Sequence, residues 1–339
     1  MTTIDTWAFY GCSNLTNVEL PTSVTTIGST VFYNCRSLSN ITIPRYVSSI
    51  GSGCFQGCSS LTQINVNSYN SNYSSVNGVL FSYDMKTIIA YPAGKTSTTY
   101  SIPSGVTKVD SYCFYYCTKL TNITLPTTLQ EIGYESFYGC NGLTSISLPS
   151  SLTTIGASGF RSCSKLTSIT IPRYVTSIGN GAFGYCTELS SFSVNSSNTS
   201  YAAVDGVLYT YDKKTLIAYP NKKTSSYEIL DGVTKLNESA FSGCSNLASI
   251  TLPSSLTNIG SSVFSGCDNL STITAKMTTP PAFSSEYVFP TAVYTNATLY
   301  VPQGRKSTYS STNYWNKFTN IVELSSPGPT TIEFSQSVR

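Results

Sequence analysis

The chain contains no histidine. That removes the Ser-His-Asp and Cys-His arrangements of nucleophilic catalysis, together with the commonest metal ligand. Charge is scarce as well: 10% of the residues are charged, 19 basic against 16 acidic, with no block of like sign. Neither nucleic acid nor an anionic membrane is an expected partner of so thin a charge. No run of eighteen apolar residues occurs, so membrane insertion is not expected. No acid pair suited to glycoside hydrolysis stands out; Asp84 and Asp212 fall in equivalent turns, where aspartate is ordinarily a turn former. A Walker loop and a dinucleotide fingerprint are both missing. The inventory predicts no enzyme, no cofactor and no metal.

The polar positions are filled by Ser, Thr and Asn, and there are 25 Tyr, a composition that favours strands, turns and hydrogen-bonding surfaces. Disorder is not expected, since 40% of the chain is apolar and those residues are periodic. Phe9, Phe32 and Phe55 are 23 residues apart; so are Phe114, Phe137, Phe160 and Phe183, and again Phe241 and Phe264. Aligned on that Phe, the unit reads F-x-x-C-x-x-L-T-x-I-x-L/I-P-x-x-V/L-T-x-I-G, as in Phe137, Cys140, Leu143, Ile146, Leu148, Pro149, Leu152, Ile155 and Gly156. A fixed period in the twenties is the signature of a solenoid.

Each position has a physical task. Between Leu143 and Leu148 the apolar residues alternate with Ser145 and Ser147, which predicts a short strand with one buried face. Stacking would align such strands into one parallel sheet. Pro149 ends the strand, Leu152 and Ile155 return the backbone across the core, and Gly156 is expected to permit the tight bend that a β-carbon would obstruct. Cys12, Cys35, Cys58, Cys117, Cys140, Cys163, Cys186, Cys244 and Cys267 all stand three residues after the repeat Phe, which predicts a buried ladder of small side chains rather than a disulfide framework. Cys54 and Cys113 fall outside that ladder, four residues before Cys58 and Cys117, and leave a local disulfide open at each place.

A second period lies above the first. Phe137, Phe160 and Phe183 follow Phe9, Phe32 and Phe55 by 128 residues, and Phe241 follows Phe114 by 127. Each copy carries an insertion, Asn67 to Pro92 and Asn195 to Pro220, in which two apolar runs are joined through D-x-K-T. This predicts two β-hairpins projecting from the solenoid. After Asn269 the rhythm decays into an aromatic-rich stretch whose Trp315 and Phe318 can cover the open end of the core. The expected organisation is a repeat region over 1–275 with inserts at 67–92 and 195–220, a capping repeat over 276–324, and a linker over 325–339. Ile4 to Phe9 already reads as the back half of a repeat, so the sequence is expected to start within the solenoid, with the export signal and N-terminal cap ahead of it.

The unit, with LPxxLTxIG after the strand and F-x-x-C opening the next coil, closely resembles the BspA-like leucine-rich repeats. The insert ending in IAYP and the segment ATLYVPQG extend the likeness over nearly the whole chain. The resemblance implies a mainly β, right-handed leucine-rich-repeat superhelix with its parallel sheet on the concave face. It implies a secreted or cell-surface protein of a host-associated microbe that adheres to host matrix, host cells or other microbes, without naming the ligand.

The residues expected to face a partner are the outward strand positions, chiefly Asn40, Thr42, Gln63, Asn65, Asn122, Thr124, Ser168 and Thr170, with Asn17, Glu19, Ser145 and Ser147 in the same register. Arg45 with Tyr46 and Arg173 with Tyr174, in the repeated IPRYV, join them because Arg and Tyr are favoured at recognition hot spots. The bland alternative is that these groups only keep the sheet soluble and that duplication copied the pair. The leading expectation is an extracellular binding scaffold, monomeric, for a protein or glycoprotein on host or microbial surfaces. The other reading is an architectural stalk that presents a further domain.

Overall fold

The computed structural model describes residues 1–283 and 285–325. The linker expected over 325–339 lies outside the described residues apart from Ser325. The chain is a mainly β solenoid of stacked coils, and what stacks it lies on three sides of the coils.

On the first side are the strands that follow Leu-Thr. Asn40–Ile43 pairs in parallel with Gln63–Val66, Thr99–Ser101 with Asn122–Thr124, and Ser168–Ile171 with Ser191–Val194. Ser226–Glu228, Ser249–Leu252, Thr272–Ala275, Thr298–Val301 and Asn320–Glu323 form one five-stranded sheet. The single continuous sheet expected from the repeat is therefore divided. The inserts divide it, and so does the coil at 142–149, which matches the repeat unit yet forms no strand. That coil differs at Gly142, where a β-carbon would lie 2.5 Å from the Leu120 carbonyl oxygen. The backbone there sits too close to its predecessor for a side chain.

On the second side, the return leg builds its own ladder of two-residue strands, with pairs such as Glu131–Ile132 on Thr154–Ile155 and then Ser177–Ile178. The glycine that follows is required by coil-to-coil approach rather than by a left-handed φ: a β-carbon on Gly156 would come within 2.5 Å of the Gly133 carbonyl carbon. On the third side, the turns around the Phe bond across coils through the backbone, as in Phe32 N–H to Cys54 O at 3.0 Å and Phe137 N–H to Gly159 O at 2.8 Å.

The Phe rings stack along the core, with centroids 5.0 Å apart for Phe114 and Phe137 and 5.1 Å for Phe137 and Phe160. Each fully buried ring contributes about 1.5–3 kcal/mol of transfer free energy. The ladder cysteines do more than fill space. The Cys140 thiol donates to the Phe114 carbonyl at 3.1 Å, and Cys35, Cys58, Cys163, Cys186 and Cys267 do the same to the Phe 26 residues earlier. Every cysteine is a free thiol, all buried except Cys12 in the first coil. Much of the Ser and Thr content has a similar use. Hydroxyls such as Thr62, Thr121, Thr153 and Ser190 donate to a carbonyl 23 residues back.

The inserts do not project. Each is a three-stranded antiparallel meander, Tyr73–Val76, Val79–Ser82 and Thr87–Ala90 in the first, and Tyr201–Val204, Val207–Thr210 and Thr215–Ala218 in the second. The third strand joins the return ladder, with Ile88 opposite Val109 and Leu216 opposite Leu236. Because successive strand residues point to opposite faces, the middle strand serves two cores at once. Leu80 packs in the N-terminal cluster while Val79 and Phe81 pack in the next. Leu208 and Val207 divide in the same way at the second insert. Expected to stand outside, the hairpins are instead partitions across the solenoid.

Each partition is pinned by a buried asparagine. Asn70 donates to Pro44 O at 2.8 Å and Val47 O at 2.9 Å while accepting from the Asn72 and Tyr73 amides, both at 2.8 Å. Asn198 repeats the arrangement on Pro172 and Val175. At the C-terminal end two short helices, Thr291–Asn296 and Lys306–Ser311, accompany the last strands. Trp315 is fully buried, with its indole N–H donating to Pro281 O at 2.8 Å, and the Tyr309 hydroxyl donates to Met277 O at 2.8 Å.

Candidate functional site

The residues singled out from the sequence are exposed: Asn40, Thr42, Arg45, Tyr46, Gln63, Asn65, Asn122, Thr124, Ser168, Thr170, Arg173 and Tyr174; Asn17, Glu19, Ser145 and Ser147 are exposed too, but their two coils form no strand. Alternation puts Ile41, Ile64, Ile123 and Ile169 inward and their neighbours outward. The structure pairs Asn40 with Gln63 and Thr42 with Asn65 across adjacent strands. Asn122 and Thr124 pair instead with Thr99 and Ser101, and Ser168 and Thr170 with Ser191 and Ser193. The candidates thus occupy three two-stranded patches rather than one continuous row, because the first insert and the coil at 142–149 interrupt the ladder.

The Arg-Tyr pairs lie just past the strand ends, where the proline turns the chain. The Arg45 guanidinium lies 5.2 Å from the Tyr46 ring centroid and 5.3 Å from that of Tyr69. Arg173 lies 5.0 Å from Tyr174. Tyr69 comes from the insert, and its counterpart in the second copy is Ser197. Arg173 instead borders an open cleft of about 260 Å³ lined by Ile146, Ser147, Leu148, Ser150, Thr170, Pro172 and Asn195. The cleft opens at the coil that forms no strand. Neither guanidinium takes part in an ion pair among the described residues.

A region the sequence reasoning passed over is the five-stranded sheet. It aligns Glu228, Thr251, Thr274, Tyr300 and Val322 in one uninterrupted row. ATLYVPQG was read as cap, yet its T-L-Y-V alternation followed by proline is the same strand-then-turn signal as I-T-I-P.

The model of the BspA type leucine rich repeat region matches residues 1–97, 90–203 and 217–323 in six copies. The chain belongs to this family. Among solved structures, the pneumococcal vaccine antigen PcpA is 21% identical with a TM-score of 0.57, the likeness covering 96% of this chain and 66% of PcpA. The chain therefore spans just under two thirds of the PcpA structure. A leucine rich cell surface protein from Faecalibacterium prausnitzii A2-165 is 23% identical at a TM-score of 0.45, covering 90% of this chain and 84% of that one. A leucine-rich repeat protein from Bacteroides ovatus ATCC 8483 is 22% identical at 0.43, covering 96% and 84%. No curated protein matches the sequence.

The two insert aspartates and the buried thiols are engaged by the fold. Asp84 accepts from the Ser82 hydroxyl at 2.6 Å and the Lys86 amide at 3.0 Å, bonds that hold its carboxyl below the usual range, and Asp212 does likewise with Thr210 and Lys214. Burial pushes the thiols up, Cys35 to about 11 and Cys54, Cys140 and Cys186 to about 12, so these sulfurs stay protonated at neutral pH. Among the described residues no three His, Cys, Asp or Glu cluster as metal ligands, and no helix is long and apolar enough to cross a membrane.

Proposed function

We propose that this chain is a binding scaffold displayed at a cell surface or secreted, which grips a protein or glycoprotein of a host or of another microbe through its strand face. Arg45, Tyr46, Arg173 and Tyr174 are the anchors, and the polar rows beside them give register. The observation that carries this reading is the state of the two arginines. Each is exposed and stacked on tyrosine, and neither is neutralised by an acid among the described residues, which leaves both guanidiniums open to a partner's acceptors. Rigid Tyr rings and Arg forks are the groups that dominate interface energetics. Solenoids of this kind typically act as scaffolds rather than enzymes, and membership of the BspA-type repeat family supports the surface placement.

The test is surface plasmon resonance against immobilised fibronectin, fibrinogen, collagen, laminin and mucin. Saturable binding that is lost on joint substitution of Arg45, Tyr46, Arg173 and Tyr174 by alanine is the expected result. Binding to none of these surfaces favours the stalk reading, in which the coils only space a further domain.

A further inference from the structure

The turn face, opposite in character to the strand face, carries a row of tyrosines directly after the repeat Phe in the first part of the chain only. The residue after the repeat Phe is Tyr10, Tyr33, Gln56, Tyr115 and Tyr138 in the first part of the chain, and Arg161, Gly184, Ser242 and Ser265 in the second. Tyr33 and Tyr115 are 82 residues apart in sequence, yet the insert brings them to opposite walls of one open groove of about 550 Å³. That volume is within the roughly 300–1,000 Å³ usual for small-ligand sites. Each wall ring is backed by another: Tyr10 stacks on Tyr33 with centroids 4.8 Å apart, and Tyr138 on Tyr115 at 5.2 Å. Tyr116, exposed, stands edge-on to Tyr115 at 4.9 Å. The groove is therefore walled by rings fixed in place before any ligand arrives.

Its low point is Gly57, whose coil has no aromatic in this row. A β-carbon there would meet the Asn34 amide oxygen at 2.2 Å. Asn34, Ser59 and Thr118 add amide and hydroxyl groups, Arg36 is the one charged lining residue, and no carboxylate lines the groove. Burial holds the Tyr115 and Tyr116 phenols above their usual range, so both remain neutral hydroxyls that donate and accept.

The second copy shows that the opening is not demanded by the fold. There, position 57 corresponds to Tyr185, Asn34 to Ser162, and Tyr116 to Gly243. Tyr185 occupies the space: its hydroxyl bonds to Ser265 Oγ at 2.9 Å, Arg161 lies 4.7 Å from its ring centroid, and β-carbons on Gly243 or Gly266 would come within 2.9 Å of it. One duplicated framework thus carries a filled groove and an open one.

We propose that the open groove between Tyr33 and Tyr115 binds a neutral glycan, with a pyranose ring seated on tyrosine and its hydroxyls bonded to Asn34, Ser59, Thr118 and the phenols. A sugar offers an apolar C–H face to the rings and a rim of groups that both donate and accept, which is the mixture the lining presents. A proline-rich peptide would also lie on tyrosine, but its backbone mostly accepts hydrogen bonds and leaves the acceptors of Asn34 and the hydroxyls unmatched.

Affinity electrophoresis of the whole chain through gels containing hydroxyethyl cellulose, laminarin, galactomannan, arabinoxylan or dextran tests the proposal, with poly-L-proline as the competing probe. At least one polysaccharide should retard the chain, and Tyr116→Ala should weaken that retardation on the order of tenfold. The set Asn34→Ser, Gly57→Tyr and Tyr116→Gly, which copies the filling ring and the positions beside it in the second copy, should abolish it, while Tyr211→Ala, remote and exposed, should not change it. Thermal melts confirm that the variants fold. Retardation by none of the polysaccharides overturns the proposal. So does retardation that survives both groove variants, or binding to poly-L-proline alone with the same sensitivity to them.

Discussion

The two copies of the duplicated block share a framework and differ at its openings. At the first partition the wall is formed by Cys54, Tyr91 and Cys113, and the Tyr91 hydroxyl is buried with no protein partner. At the second, Ala182 and Ala240 replace the cysteines, and the Tyr219 hydroxyl reaches Thr224 at 3.2 Å. Beyond the partitions, Arg45 sits between two rings where Arg173 has one, and the turn-face groove is open in the first copy and filled in the second. What repeats is what holds coil to coil: the Phe stack, the thiol bonds, the asparagine clamps. Some of the divergence lies in the core, as at Ile64 against Phe192 and Phe81 against Tyr209, but the differences named above face water or a cavity.

The largest effect that sharpens this comparison should come from alkali. A thiol with a folded pKa near 12 and an unfolded value of 9.0 stabilises the native state fully below pH 9, and that contribution is lost as pH rises from 9 towards 12. Each such thiol removes about 1.4 kcal/mol per pH unit across that window. Urea melts between pH 8.5 and 10.5 should show a steep loss, and Cys54→Ala with Cys113→Ala, which copies the second partition, should make it shallower, the remaining buried thiols keeping the rest of the slope. An unchanged slope would mean that those two thiols ionise as freely folded as unfolded.

Next in size are the clamps. Asn70→Ala and Asn198→Ala each strip partners from two buried carbonyls and two amides, and each should cost about 3–5 kcal/mol in chemical denaturation. A marked inequality would break the equivalence of the two copies. Cys140→Ala should cost about 2 kcal/mol through lost volume and the lost bond to Phe114, as read from urea midpoints. The smallest contrast concerns a single hydroxyl. Tyr219→Phe should lower stability by about 1 kcal/mol, whereas Tyr91→Phe should leave it unchanged or raise it, because the removed hydroxyl has no bond to lose. Equal losses would show that the Tyr91 hydroxyl is satisfied in solution.

The 23-residue period, the inward Ile and Leu positions and the Phe and Cys slots were legible because each coil repeats the same burial. The return ladder was not, since two-residue strands are too short to show alternation. The inserts were read as hairpins from their apolar runs, but the Asn77-Gly78 and Asp205-Gly206 turns, all four residues at positive φ, mark an additional strand before each of them. Their burial was hidden because apolar strands serving two cores read like exposed runs when the neighbouring coils are not considered. At the candidate site, exposure of the outward residues followed from alternation. The breaks that divide them into patches did not, since only Gly142 hints at one and the insert's placement is a matter of tertiary pairing. The turn-face groove needed Tyr33 and Tyr115 to meet across 82 residues.

The most direct test of the central claim, that the strand face recognises a partner through the Arg-Tyr anchors, sets two half-variants side by side on a surface that binds the whole chain. Arg45→Ala with Tyr46→Ala should weaken binding more than Arg173→Ala with Tyr174→Ala, because Arg45 is held between two rings and loses less freedom on binding. Both should exceed a tenfold loss at unchanged melting temperature, roughly 1.4 kcal/mol or more. Undiminished binding by both half-variants would contradict the account.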